Sequence, residues 1–263
     1  MQSMPALFIA HGSPFQLVDK PWLAKLHGWG QALPQPQSIL VLSAHWEAAP
    51  TTIGATQRLP LIYDFHGFPP AFYQTQYPAP GAPALAERVR TLLNAAQVPV
   101  AEAPQRGLDH GVYVPLLGMY PTATIPVLQL SLPSMDPTEV YRLGQALAPL
   151  RNEGVLIIGS GFLSHNLRLL REFPTGEHVP PWAQEFDQWC AQRLASTDVA
   201  ALLDYRSQAP HVAMALPSHE HFVPVLAALG AANPTDSTAP PAVSFPITGF
   251  GPGAMTLRSV QFG

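Results

Sequence analysis

Short apolar runs alternate with amphipathic stretches along most of the chain. Ala6–Ala10, Ser38–Leu42, Ile125–Ser131 and Val155–Gly161 are near-continuous apolar runs bounded by turn residues, the pattern of strands buried on both faces. Thr51–Ala55 and Val98–Ala101 read as further short strands, and Val243–Phe245 and Met255–Phe262 as edge strands that close the sheet. Helical spacing places Trp22, Leu23, Leu26 and Trp29 on one face of Lys20–Leu33, closed by Gly30 and Pro34. Pro83–Ala96 starts with proline and carries Leu85, Val89, Leu92 and Leu93 on one face. Pro137–Arg151 and Pro181–Leu194 read as helices too, the second with Trp182, Phe186, Trp189 and Cys190 aligned, which makes Cys190 a core residue. A last helix is expected to start within Pro217–Leu226, with Ser218 as N-cap and Glu220 near its positive end. Ala231–Pro241 reads as a surface loop. Strands alternating with helices predict an α/β fold: a single domain over residues 1–263, with a central mixed, mostly parallel sheet and helices on both faces.

Several of these runs end in histidine. Ala6–Ala10 leads into His11-Gly12-Ser13-Pro14, and Ser38–Leu42 runs through Ser43-Ala44 to His45, where the strand is expected to stop. Val155–Gly161 is followed by Phe162-Leu163-Ser164-His165, and Gly107-Leu108-Asp109-His110-Gly111 is a turn opening another apolar stretch, Val112–Met119. Ligands of open α/β sheets gather outside the strand ends, so His11, His45, His110, His165 and His221 are candidates to converge on one rim. Tyr63–Tyr77, rich in aromatics and proline, is a candidate pocket wall, whereas His27, His178 and His211 read as surface or structural.

Composition narrows the chemistry. Charged residues make up 11% of the 263, against roughly 25% in an average globular protein. The net charge is −4 with no basic run, which argues against nucleic acid and for a small-molecule substrate. Cys190 is the only cysteine, so disulfides within the chain and cysteine-rich zinc frameworks are excluded; a metal must rest on His, Asp or Glu. No basic n-region precedes the first apolar run, and no apolar run approaches the length of a membrane span, so a cytoplasmic protein without membrane contact is expected. Of the 31 prolines, about twice the usual share of ~5%, most lie between periodic segments, where they stiffen connections.

Three protein ligands on one face, with other positions left open, suit a redox-active iron or a catalytic zinc, and neutral imidazoles suit both. No compact motif such as H-E-x-x-H fixes the metal. His219 and His221, two residues apart, would point to different sides of a helix, so one of them at most reaches the site, with Glu220 a competitor. A zinc hydrolase and a non-catalytic metal-binding interaction protein are the rival readings.

The segments AHGSP (10–14), SAHW (43–46), YPAPG (77–81), LDHG (108–111), SHNLR (164–168) and EHF.P (220–224) occur in an order that resembles the class III extradiol ring-cleavage dioxygenases, and most closely the 4,5-DOPA dioxygenase extradiol family. The resemblance runs almost end to end. It implies a non-haem divalent metal, Fe(II) for activity with Zn(II) as an alternative occupant, and cleavage of a DOPA-like catechol by insertion of both atoms of O2. It makes His11, His45 and His221 metal ligands, with Glu220 the alternative to His221, and His165 the acid/base or, with zinc, a fourth ligand. His110 becomes a second active-site histidine that hydrogen-bonds substrate or oxygen, with Asp109 as its orienter. Where the family commonly has HDFGGFP this chain reads Tyr63-Asp64-Phe65-His66-Gly67-Phe68-Pro69, a departure that bears on substrate preference. Arg168 is a candidate contact for a substrate carboxylate.

Overall fold

A computed structural model describes residues 3–235 and 239–263. The strands are β1 (Ala6–Ala10), β2 (Ser38–Glu47), β3 (Thr51–Ile53), β4 (Val100–Glu102), β5 (Val127–Leu132), β6 (Val155–Gly161), β7 (Val243–Ile247) and β8 (Ser259–Phe262). They form one sheet in the order β4-β3-β5-β2-β6-β1-β8-β7. The central strands β5, β2, β6 and β1 are mutually parallel. Antiparallel pairing appears outside them, between β3 and β5, β1 and β8, and β8 and β7. The expected mixed, mostly parallel sheet is therefore present, with strands from both ends of the chain in one layer.

The helices are α1 (Lys20–Ala32), α2 (Pro83–Ala95), α3 (His110–Met119), α4 (Pro137–Leu147), α5 (Pro181–Ala195), the short α6 (Val199–Leu203), α7 (Tyr205–Gln208) and α8 (Val212–Ala215), and α9 (Pro224–Ala232). Side chains alternate across a strand, so each central strand feeds two cores. Leu7, Ile9, Ile39, Val41, Leu156 and Ile158 meet α1 and α3 on one face. Phe8, Leu40, Leu42 and Ile157 meet α2, α4, α5 and α9 on the other. Cys190 is buried in that second core, as its helical spacing predicts. Among the described residues no helix is long and apolar enough to cross a membrane.

Four elements differ from expectation. β2 does not stop before His45 but continues to Glu47, because its ladder passes from β6 (Ser43 opposite Ser160) through a register shift to Leu132 of β5. β8 is an inner strand between β1 and β7, so of the two expected edge strands β7 alone lies at an edge. The Pro137–Arg151 helix breaks into α4 and a 3-10 turn, Ala148–Glu153, at Pro149, which has no N–H to continue the α ladder. The last helix starts at Pro224 and not near Ser218; proline suits a first helical position because its missing N–H has no partner there anyway. Ser218 instead donates to Glu220 Oε1 at 3.0 Å, and residues 218–223 form turns. Of the loop expected over Ala231–Pro241, the first two residues complete α9, and residues 236–238 lie outside the described residues.

The turn before α9 lies directly on β6. Phe162 N–H donates to the His221 carbonyl at 2.9 Å, and a Cβ at Gly161 would collide with that same oxygen. Gly161→Ala is expected to lower stability by about 1–3 kcal/mol through this overpacking. A fall in Tm, measured by calorimetry, checks it; an unchanged Tm would show that the turn can move away freely.

Candidate metal centre

The parallel strands deliver their carboxyl ends to one rim, and all five singled-out histidines meet there. His11 follows β1, with its backbone N–H on Gly161 O at 3.2 Å. His45 projects from the overrun of β2, His110 opens α3, His165 lies in the loop after β6, and His221 lies in the turn before α9. Ring centroids are 4.9 Å apart for His11 and His45, 4.0 Å for His45 and His110, and 4.9 Å for His45 and His221. His165 stacks on His221 at 3.5 Å, with 12° between the planes.

Hydrogen-bond partners assign the tautomers. Ser160 Oγ gives its proton to Gly111 O, so at 2.9 Å it accepts from His11 Nδ1–H. Asp64 Oδ1 accepts from His110 Nδ1 at 2.8 Å and from the His110 backbone N–H at 3.1 Å. Asp64 Oδ2 lies 3.4 Å from His45 Nδ1, an ion-pair approach longer than a good hydrogen bond that still favours a proton on that nitrogen. Glu220 Oε1 accepts from His221 Nδ1 at 2.9 Å. With each Nδ1 protonated against an acceptor, each Nε2 presents a lone pair.

Those lone pairs face inward. His11 Nε2 and His45 Nε2 are 3.1 Å apart, and His221 Nε2 is buried without any partner. Two facing lone pairs and an orphaned third repel one another unless a cation or proton stands between them. Burial, reinforced by the neighbouring histidines, holds His11 and His221 far below the usual imidazole range, so protons are disfavoured as that cation. Burial likewise lowers His45 to about 3 and His165 to about 4. A neutral imidazole set with outward nitrogens anchored on oxygen acceptors is the donor chemistry a divalent metal requires. Two groups have ligand atoms within 4.8 Å of one another: His11, His45 and His110, and His165, Glu220 and His221.

Asp109 does not orient His110. Its buried carboxylate is taken by Ser43 Oγ at 2.8 Å, by Gln129, and by Arg106 at 3.2 Å. It braces the rim from behind, because the Arg106 guanidinium also donates to the His45 carbonyl at 3.2 Å. Asp64 has the orienting role, and sequence reasoning passed over it. Burial would raise its pKa, but the hydrogen bonds from His110 and the electrostatic influence of the adjacent His110 and His45 rings hold it below the usual carboxylate value. Its signal was available: it is the one acidic residue in the aromatic segment Tyr63–Tyr77. His219 turns away and bonds Tyr205 OH at 2.8 Å, and His27, His178 and His211 are exposed as expected. Asp64→Asn is expected to weaken metal affinity and activity about 10–100-fold, the usual cost of losing a ligand's orienting partner. Metal titration checks this, and wild-type affinity would refute it.

The histidines floor a cleft of about 630 Å³, a size that suits a small aromatic ligand. Fold and site together define an α/β scaffold with a histidine-rich candidate metal centre at the carboxyl rim of its sheet. Residues 5–247 match the family described as the catalytic LigB subunit of aromatic ring-opening dioxygenase. A relative from Beta vulgaris named 4,5-DOPA dioxygenase extradiol is 44% identical over 231 residues, covering 86% of this chain and 85% of the relative. One of the same name from Escherichia coli K12 is 39% identical, covering 99% and 95%. The crystal structure of an uncharacterized protein from Escherichia coli K12 superposes with a TM-score of 0.78 at 33% identity, covering 99% of this chain and all of that one. The chain belongs to the LigB family of aromatic ring-opening dioxygenases, and is thus an oxidoreductase.

Proposed function

We propose that this chain, acting as a single domain, is a metal-dependent extradiol dioxygenase that opens the ring of a catechol beside its paired hydroxyls and inserts both atoms of O2. The observation that carries the reading is the inward set of Nε2 lone pairs, above all the buried, unpartnered His221 Nε2. His11, His45 and His221 hold the metal, Fe(II) for activity with Zn(II) an alternative occupant. Glu220 suits an orienter better than a ligand, since its Oε1 is engaged by His221 Nδ1 and by Ser218. His110 belongs geometrically to the His11 and His45 trio, but its anchorage on Asp64 also suits a group that hydrogen-bonds the substrate.

When bound, the metal supplies Lewis acidity toward the catechol oxygens and an electronic route between ring and O2. The protein must manage the protons. A phenolic hydroxyl ionises near pH ~10, so an acceptor has to stand at the hydroxyls. His165, neutral because burial depresses its basicity, takes that proton at a ring nitrogen and returns it as the ring opens. His110 Nε2, its ring fixed through Nδ1 on Asp64, is the second proton carrier. Phe65 and Phe162, packed edge-on against His110 and His11 at 5.8 and 5.2 Å, screen the cluster from water.

The test is anaerobic loading with Fe(II), addition of catechol or DOPA, and admission of O2. One O2 consumed per ring opened, with the yellow semialdehyde appearing, is the expected result. Turnover without oxygen uptake would mark a hydrolase instead.

A further inference from the structure

The outer wall of the cleft differs in chemistry from its floor. Above the histidines stand Phe15, Phe68, Phe162, Leu167, Leu170 and Met255, drawn from the loops after β1, β3 and β6 and the segment before β8. Phe15 packs on Phe68 at 4.7 Å and edge-on against Phe72 at 5.3 Å, so this part of the rim is braced rather than free to collapse. Among the described residues the exposed large hydrophobics are Phe15, Val18, Leu167, Leu170 and Met214. Three of them, Phe15 at 51%, Leu167 at 57% and Leu170 at 38%, border this one cleft. Exposed apolar surface gathered at the mouth of a pocket marks a surface that a ligand covers.

The charges are distributed the other way. Among the described residues no Lys, Arg or Glu lines the cleft, and Asp64, its one carboxylate, faces His45 and His110. Arg168 is exposed and lines a separate surface depression with Asn166 and Met214. The remaining polar side chains at the mouth are Ser13 and Gln16, hydrogen-bonded to each other at 2.9 Å, and His66. A substrate carboxylate seated here would lose water without gaining a fixed cation, an unfavourable exchange. An alkyl or aryl group would bury apolar surface on both sides.

We propose that the cleft selects catechols bearing an uncharged apolar substituent over catechols bearing a carboxylate, with Phe15, Leu167 and Leu170 as the specificity-determining residues. The inference rests on the catechol-cleavage reading and names the substrate class of that same site. It separates this chain from what its relatives' names suggest.

The test pairs binding with turnover. Butylcatechol, dihydrocaffeate and DOPA are titrated calorimetrically into the iron-loaded protein without oxygen, and kcat/KM for each is then measured by oxygen uptake. Butylcatechol is expected to bind about tenfold or more tightly than the two carboxylates, the scale of an uncompensated polar group. The double variant Phe15→Ser, Leu167→Ser should narrow that ratio to about threefold or less as the apolar surface is lost. Equal or tighter binding of DOPA or dihydrocaffeate overturns the proposal, and if His66→Leu then removes that binding, His66 is the carboxylate site. Apolar preference in binding without oxygen uptake would leave the inference standing and sink the ring-cleavage reading. Ring cleavage without the preference does the reverse, and a protein that binds none of the three sinks both.

Discussion

His221→Ala is expected to yield a folded protein that neither retains iron nor opens a catechol ring. Of the five clustered imidazoles, His221 alone has a buried Nε2 with no partner, while its Nδ1 is held by Glu220 at 2.9 Å. Loss of an orienting partner alone typically costs about 10–100-fold in metal affinity, so deleting the ligand should exceed that range. His11→Ala and His45→Ala should behave alike, since their Nε2 atoms face each other at 3.1 Å. Metal content after gel filtration, read beside Tm in the presence of chelator, separates a lost site from a lost fold. His110→Ala is the discriminating control. It shares a ligand-competent group with His11 and His45, so metal retained in His221→Ala but lost in His110→Ala would transfer the third ligand to His110.

The strands that carry this site were legible because their apolar runs are continuous, a pattern a doubly covered parallel strand imposes. The convergence of His11, His45 and His165 followed from the same runs, since parallel neighbours end on one rim. What escaped notice was set by tertiary contacts that no local pattern encodes. β2 overruns His45 because β5 continues the ladder beyond β6. His221 sits in a turn rather than on a helix because Pro224 is the better helix start and Gly161 admits the turn's carbonyl against β6. Asp109 adjoins His110 in sequence, yet the chain turns its carboxylate back toward Ser43 and Gln129, while Asp64, 46 residues upstream, reaches His110 instead. Sequence adjacency was a poor guide because an extended N-cap residue and the first residue of a helix point in different directions.

His165→Ala is expected to keep its metal and lose about 10²-fold or more in kcat, the usual contribution of a positioned acid/base. The ring stacks flat on His221 at 3.5 Å, beside the candidate ligand and facing the cleft. Among the described residues its side chain makes no hydrogen bond that it would have to give up, whereas His11, His45, His110 and His221 each have an oxygen acceptor at Nδ1 within 3.4 Å. An anchored imidazole suits a fixed ligand, and an unanchored one suits a group that must gain and release a proton. Removing the ring also vacates space against His221, so added imidazole should occupy the stack and restore part of kcat without changing metal content. Unchanged turnover in His165→Ala would remove it from proton transfer. Loss of metal together with turnover would make it a ligand, a role its grouping with Glu220 and His221 also permits geometrically. Rescue distinguishes these outcomes because free imidazole can replace a mobile proton carrier at the cleft face, but restores activity through a ligand position only by restoring the metal with it.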